Sequence, residues 1–248
     1  ESSQMRVQDH MYFAGLKGKY QGEPLFIIGT GPSLRKEIGS RINLIAERGH
    51  LSWGVNLLSA CISGDDPFMD FVPPFWSASE IDWLPNIDAA TAGYETQKII
   101  ACHTDPEYRS GYNTPESGKV FPSWNWVWAP DNRDMLRGYF GGFGEELWWV
   151  AFGWSVVLTR AVQIAAWMGC DPVYLLGCEM TTHGHSYSDV YEPPARLQER
   201  QGRAQGSAQI AWEAYKLNGK RLIDLSGPTG TLPIDKGDFS RVMRGDVR

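Results

Sequence analysis

An α/β fold is what this sequence predicts: a mostly parallel sheet with helices on both faces, interrupted by a Trp-rich insertion. Three observations carry that expectation. Short unbroken apolar runs such as Leu25-Phe26-Ile27-Ile28 and Val173-Tyr174-Leu175-Leu176 read as strands buried on both sides, as parallel sheets require. Segments with apolar residues at helical spacing alternate with these runs, which is the βαβ rhythm. At 248 residues, 42% apolar and 21% charged, the chain can bury a substantial core, and residues 1–248 are expected to form one domain.

Taken in order, residues 1–24 are a polar lead-in with one aromatic patch, Met11-Tyr12-Phe13, expected to pack on the sheet edge. The first strand, 25–28, ends in Gly29-Thr30-Gly31, where no side chain blocks close approach to the backbone. Pro32 presets φ for a turn or first helical position, and Ser33 is placed to cap a helix running to about residue 48. Leu34, Ile38, Ile42 and Ile45 recur along that helix at the spacing of one buried face. Leu51–Val55 reads as a second strand ending at Asn56, followed by a short helix over 57–62. Met69-Asp70-Phe71-Val72 is expected to be a third strand stopped by Pro73-Pro74, with a helix starting near Ser79 and a fourth strand at Lys98–Cys102.

Residues 103–150 break the rhythm. They hold Trp124, Trp126, Trp128, Trp148 and Trp149 and several glycines, and read as an insertion or lid whose aromatics either stack on a ligand or form a satellite core. From Ser155 an apolar, small-residue helix runs to Met168 and is ended by Gly169. The interior strand Val173–Gly177 follows and leads into Gly-Cys-Glu. A loop with Pro193-Pro194, a helix from about 194 to 217, a last strand at Arg221–Leu225 and a turn-rich tail complete the chain.

Bulk properties narrow the function classes. A net charge of −6 argues against a protein that coats nucleic acid, although Arg196, Arg200, Arg203, Lys216, Lys220 and Arg221 could form a local basic face. The four cysteines, Cys61, Cys102, Cys170 and Cys178, show no CxxC pairing, so neither a zinc knuckle nor a disulfide framework is indicated. With no signal-peptide pattern and no apolar run long enough to span a bilayer, the expectation is a cytoplasmic protein with reduced thiols.

In an open parallel sheet, ligands bind beyond the carboxyl ends of the strands where the strand order reverses. Four predicted strand ends carry glycine or polar turns: Gly29–Gly31, Gly54–Asn56, Gly177–Glu179 and Ser226-Gly227. Amides at the Gly29, Thr30, Gly31, Pro32, Ser33 turn are expected to seat a phosphate. Asn56 is expected either to contact a nucleoside or to form the turn, and Ser155 to donate to a phosphate or cap its helix. The densest reactive stretch is Glu179–Asp189, with His183, His185 and Tyr187. There a histidine can take a proton from an acceptor hydroxyl, and Tyr187 can hydrogen-bond a departing phosphate. His-x-His with Glu179 and Asp189 is also compatible with a metal, but no third strong ligand stands at a defined spacing, so no metal site is assigned.

Ile27-Ile-Gly-Thr-Gly-Pro-Ser-Leu34 resembles the nucleotide-binding opening of bacterial CMP-sialic-acid-dependent sialyltransferases, and equally that of Rossmann-like archaeal hydroxymethylpterin diphosphokinases. The block from Ser155 to Glu179 is similar to the later helix–strand block of both groups, and Gly54-Val55-Asn56 fits their nucleotide-contacting asparagine. The resemblance implies a Rossmann-like domain with Gly29, Thr30, Gly31, Ser33, Asn56 and Ser155 around a nucleotide, and Tyr187 near the leaving phosphate. Thr30 stands where the sialyltransferases carry Asn, Glu179 where Asp is usual, and no histidine follows His185 to match their catalytic one. Taken together, these features lead us to expect a glycosyltransferase. It would move a sugar from a nucleotide-sugar donor to a hydroxylated acceptor, a glycan before a modified nucleic acid, with no required cofactor. Two alternatives stay open. One is a pterin-type pyrophosphokinase using ATP and Mg²⁺ held by Glu179, Asp70 and Asp65-Asp66. The other is a non-catalytic nucleotide or carbohydrate binder.

Overall fold

The computed structural model of the chain describes residues 7–78, 81–102, 123–128, 161–179, 186, 205–206, 208–209 and 211–246. Eight strands form one sheet in the order β5-β4-β3-β2-β1-β6-β7-β8, and every neighbouring pair is parallel. They are β1 Leu25–Ile28, β2 Leu51–Val55, β3 Phe75–Ala78, β4 Gln97–Cys102, β5 Asn125–Trp128, β6 Val173–Leu176, β7 Leu222–Asp224 and β8 Asp235–Lys236. Helices among the described residues include α1 Val7–Leu16, α2 Leu44–Glu47, α3 Ala60–Ser63, α4 Leu84–Ala90, α5 Val162–Met168 and α6 Phe239–Arg244, and residues 211–217 are helical as well. The fold expected from the sequence is the one observed.

The central strands show why. Along β1 the side chains alternate between two cores: Leu25 and Ile27 join Phe13 and Leu16 of α1 and Val162, Ala165 and Met168 of α5 on one face. Phe26 and Ile28 point the other way, into a core with Leu34, Ile38, Ile42, Ile45, Leu84 and Phe239. Strand β6 divides likewise, Val173 and Leu175 to the first core, Tyr174 and Leu176 to the second. Each fully buried Leu or Ile contributes about 1.5–3 kcal/mol of transfer free energy, and neither strand has a solvent face to spare.

The crossovers fix the winding. Segments linking β1 to β4 lay their apolar residues on the second face, whereas α5 and Tyr215, on the way to β6 and β7, cover the first. Tyr215 Oη donates to the Val162 carbonyl at 3.0 Å, tying that crossover to α5. Strand order therefore runs outward from β1 in one direction and from β6 in the other, and the reversal lies between these two.

Several local expectations need correction. The segment after Ser33 is a π-helical turn at Leu34–Ile38, a 3₁₀ turn at Gly39–Asn43 and then α2. Gly39 at φ +56° interrupts the ladder, while Leu34, Ile38, Ile42 and Ile45 remain buried. The third strand lies after Pro73-Pro74: Phe75–Ala78 are all buried, whereas of 69–72 only Met69 is. Pro74, which has no N–H to give a ladder, accepts the Gln97 N–H at 2.8 Å through its carbonyl. Within the stretch read as an insertion, β5 continues the sheet beside β4; residues 103–122 and 129–150 lie outside the described residues. The tail from Ser226 is more regular than expected, adding β8 and α6, the latter capped by the Asp238 carboxylate on the Arg241 N–H.

Candidate functional site at the strand-order reversal

The carboxyl ends of β1 and β6 meet where the order reverses, and both glycine turns lie there. The Gly29 N–H donates to the Leu176 carbonyl at 2.7 Å, and the Gly31 N–H to the Gly177 carbonyl at 2.7 Å. Backbone approaches backbone so closely that a Cβ on Gly29 would lie 2.4 Å from the Gly177 oxygen. A Cβ on Gly31 would lie 2.3 Å from Glu179 Oε2. Gly177 itself sits at φ +62°, which side chains disfavour. The glycines are thus required by chain-to-chain packing.

Glu179 closes the arrangement. Its carboxylate, fully buried, accepts the Ser33 N–H through Oε1 and the Ser33 hydroxyl through Oε2 at 2.7 Å. Thr231 Oγ1 holds the Glu179 carbonyl from the other side at 2.6 Å. Burial raises the Glu179 carboxyl above its ordinary value, the Ser33 hydrogen bonds oppose this, and buried Asp224 adds to the rise. No cation pairs with Glu179 among the described residues. Two expectations change here. Ser33 does not cap the following helix, because its hydroxyl serves Glu179. Nor are the amides bare: the N–H groups of Gly29, Gly31, Ser33 and Leu34 all donate within the chain, and Pro32 has none. An anion does occupy the Ser33 amide, but the protein supplies it.

The neighbouring ends are equally knit. Asn56, two residues past Gly54, turns the chain at φ +49°, and its carbonyl accepts Trp76 Nε1 at 3.1 Å. This is the turn-forming role that asparagine performs cheaply. Ser226 Oγ accepts the Cys178 N–H at 3.1 Å, and Asp224 accepts the Ser226 N–H at 2.8 Å and Lys236 Nζ at 2.5 Å.

Ser186, the residue between His185 and Tyr187, is also pinned at this reversal. Its N–H donates to the Thr30 carbonyl at 2.7 Å, its carbonyl accepts Arg35 Nε at 2.7 Å, and its Oγ lies 3.2 Å from Cys61 Sγ. Burial raises the Cys61 thiol, with the Ser186 hydrogen bond and Arg35 opposing the rise. Ser155, His183, His185 and Tyr187 lie outside the described residues. Gly29 to Ser33, Gly177, Glu179 and, on the adjacent strand end, Asn56 therefore stand at one edge of the sheet, and Arg35 and Thr231 join them. No local pattern marks those two, since their partners lie 151 and 52 residues away.

The acids considered for Mg²⁺ do not assemble. Among the described residues no three His, Cys, Asp or Glu side chains come together as a metal site; Asp66 is engaged with Arg35, and Glu179 with Ser33. Among the same residues no helix is long and apolar enough to cross a membrane.

Sheet order and crossovers define a doubly wound α/β protein whose strand order reverses between β1 and β6. No family model matches the chain, and no curated protein matches it by sequence. Among solved structures it is similar in fold to the MAf glycosyltransferase from Magnetospirillum magneticum AMB-1, at 14% identity and a TM-score of 0.50. The match covers 98% of this chain and 39% of that one, so the chain spans about two fifths of the length of the protein it resembles. At that identity the likeness shows the fold.

Proposed function

We propose that the chain is a glycosyltransferase, or the nucleotide-binding part of one, which moves a sugar from a nucleotide-activated donor to a hydroxyl acceptor. The observation that carries this reading is the convergence, at the β1/β6 reversal, of strand ends far apart in sequence: Gly29–Ser33, Asn56, Gly177–Glu179 and Ser186. Fold likeness to a solved glycosyltransferase supports it. In this reading Gly29, Thr30, Gly31, Pro32 and Ser33 shape the crevice floor, Asn56 lies toward the nucleoside, and Gly177 and Glu179 hold the floor rigid. With the Ser33 amide taken by Glu179, donor phosphate contacts fall to other groups, Ser155 among them.

Chemically, the acceptor oxygen forms a new bond to the anomeric carbon while the bond from that carbon to the nucleotide phosphate breaks. His185 (or His183) takes the acceptor proton, and Tyr187 hydrogen-bonds the departing phosphate. Positioning supplies much of the rate.

The test is a panel of CMP-, UDP- and GDP-linked sugars with hydroxylated acceptors. One donor at about 100 Kd adds about 2.7 kcal/mol of stability, about 5–11 °C in Tm at this chain length. With acceptor it releases free nucleotide, and His185→Ala abolishes the release. Absence of both binding and release across the panel refutes the reading. Release of AMP from ATP with Mg²⁺ replaces it with the pyrophosphokinase, and binding without turnover replaces it with a recognition protein.

A further inference from the structure

Arg35 joins the Ser186 contact to a third part of the chain. Its Nε donates to the Ser186 carbonyl at 2.7 Å, Nη2 to the Asp66 carbonyl at 2.6 Å, and Nη1 to the Asp66 carboxylate. The guanidinium carbon lies 4.6 Å from the centre of the Phe68 ring, so the plane is also packed from one face. All three guanidinium nitrogens therefore donate, to partners 151 and 31 residues away. Ser186 in turn is almost fully buried, and each of its polar groups has a partner: the Thr30 carbonyl, Arg35 and the Cys61 thiol. A residue in so polar a stretch would be solvated unless something held it down. Arg35 holds it, and the Asp66-Phe68 loop holds Arg35.

We propose that Arg35 is a positioning residue of the crevice. It locks Ser186 onto the Thr30 carbonyl and so fixes the Gly29–Ser33 turn at a second point besides the Ser33–Glu179 contact. The consequence for transfer rests on the glycosyltransferase reading; the strap itself does not. A lysine cannot replace it, since one ammonium cannot span the Ser186 carbonyl and both Asp66 oxygens in a fixed plane.

The full chain is compared with Arg35→Met, Arg35→Lys and Asp66→Asn by amide exchange resolved at single residues and by donor turnover. In Arg35→Met the Ser186 amide is expected to exchange at least about tenfold faster, as its bond to Thr30 loosens. The value of kcat falls about 10- to 100-fold, as misplacement of a site by an ångström or less does, with the donor KM changed less than about threefold. Arg35→Lys recovers under half of the lost kcat, and Asp66→Asn shows the same changes in milder form. Should Arg35→Met not fold, Asp66→Asn carries the test. Unchanged exchange at Ser186 overturns the strap whether or not any donor turns over. A rise in KM with kcat intact also overturns it, because Arg35 would then contact the donor directly. If exchange accelerates as expected but no variant, nor the parent chain, turns over a donor, the strap stands and the transferase reading falls.

Discussion

Removal of the Glu179 carboxylate is the perturbation whose size the structure sets best. In Glu179→Ala the buried Ser33 N–H and hydroxyl both lose their acceptor. Each orphaned donor costs about 1–3 kcal/mol, so the pair costs about 4 kcal/mol, before any cavity left by the missing side chain. Against this stands the relief of a carboxylate held without a cation among the described residues, which the raised carboxyl reflects. Glu179→Gln separates the two effects. Its amide oxygen still accepts the Ser33 N–H, and the Ser33 hydroxyl can turn to accept from the amide nitrogen, so the neutral isostere should cost about 1 kcal/mol. With Tm moving about 2–4 °C per kcal/mol at this size, the alanine variant should melt about 8–16 °C lower and the glutamine variant about 2–4 °C lower.

The pH dependence makes the same test sharper. A carboxyl raised in the folded state binds its proton more tightly there than in the unfolded chain. Its contribution is fully present below the ordinary glutamate value and is lost as pH rises through the folded one. Parent stability should therefore fall relative to Glu179→Gln as pH rises from the ordinary glutamate range, near pH 4.3, toward neutrality. Urea denaturation across that window reads the difference directly. If alanine costs less than about 1 kcal/mol, the Ser33 latch is not what fixes this turn. If the parent and glutamine curves stay parallel, burial of the charge is compensated by some group other than Ser33.

Two further substitutions probe the same edge of the sheet. Gly31→Ala sets a methyl 2.3 Å from Glu179 Oε2 and 2.7 Å from the Gly177 carbonyl, a clash with backbone that cannot move aside. A loss of at least about 2 kcal/mol is expected by thermal denaturation, and a neutral result would mean the two turns are not in contact. Lys236→Met strips the cation from fully buried Asp224, while Lys236 itself is half-exposed and screened. The expected cost, discounted for that exposure, is about 1–3 kcal/mol, and Asp224→Asn in the same background should recover part of it.

What could be read from the sequence was what local composition encodes. β1 and β6 fall where unbroken apolar runs put them, because a strand buried on both faces needs such a run and little else does, and β2, β4 and β7 fall on shorter apolar stretches beside glycine or polar residues. β3 escaped for a physical reason. Met69-Asp70-Phe71-Val72 and Phe75-Trp76-Ser77-Ala78 each hold three apolar residues and one polar one, and the sheet takes the second, whose Ser77 hydroxyl is satisfied by Trp53 Nε1 at 3.0 Å. The helix after Ser33 was overextended because a π turn and a 3₁₀ turn around Gly39 bury the same four residues that a continuous helix would. The place of the candidate site was legible, since strand ends at a reversal of order are where turns must be polar or small. Its wiring was not, because every decisive partner is remote: Ser33 to Glu179 across 146 residues, Arg35 to Ser186 across 151.

The Gly-Thr-Gly-Pro-Ser turn shows why such a motif underdetermines its use. A glycine pair after a buried strand meets two different demands, close approach of a phosphate or close approach of another strand's end, and both forbid a Cβ. Here the second demand is visible, with Gly177 and Glu179 filling the space that a side chain at 29 or 31 would need. The residue that decides between them is not in the motif. It is the first acidic side chain past the neighbouring parallel strand, which can reach the amide two residues past the second glycine when the two strands pair in register, as Ile28 and Leu176 do. A chain with Gly-x-Gly after one central strand and Gly-x-Glu after its partner should thus carry its own anion at that amide. In such a chain the ligand must find its donors elsewhere along the rim.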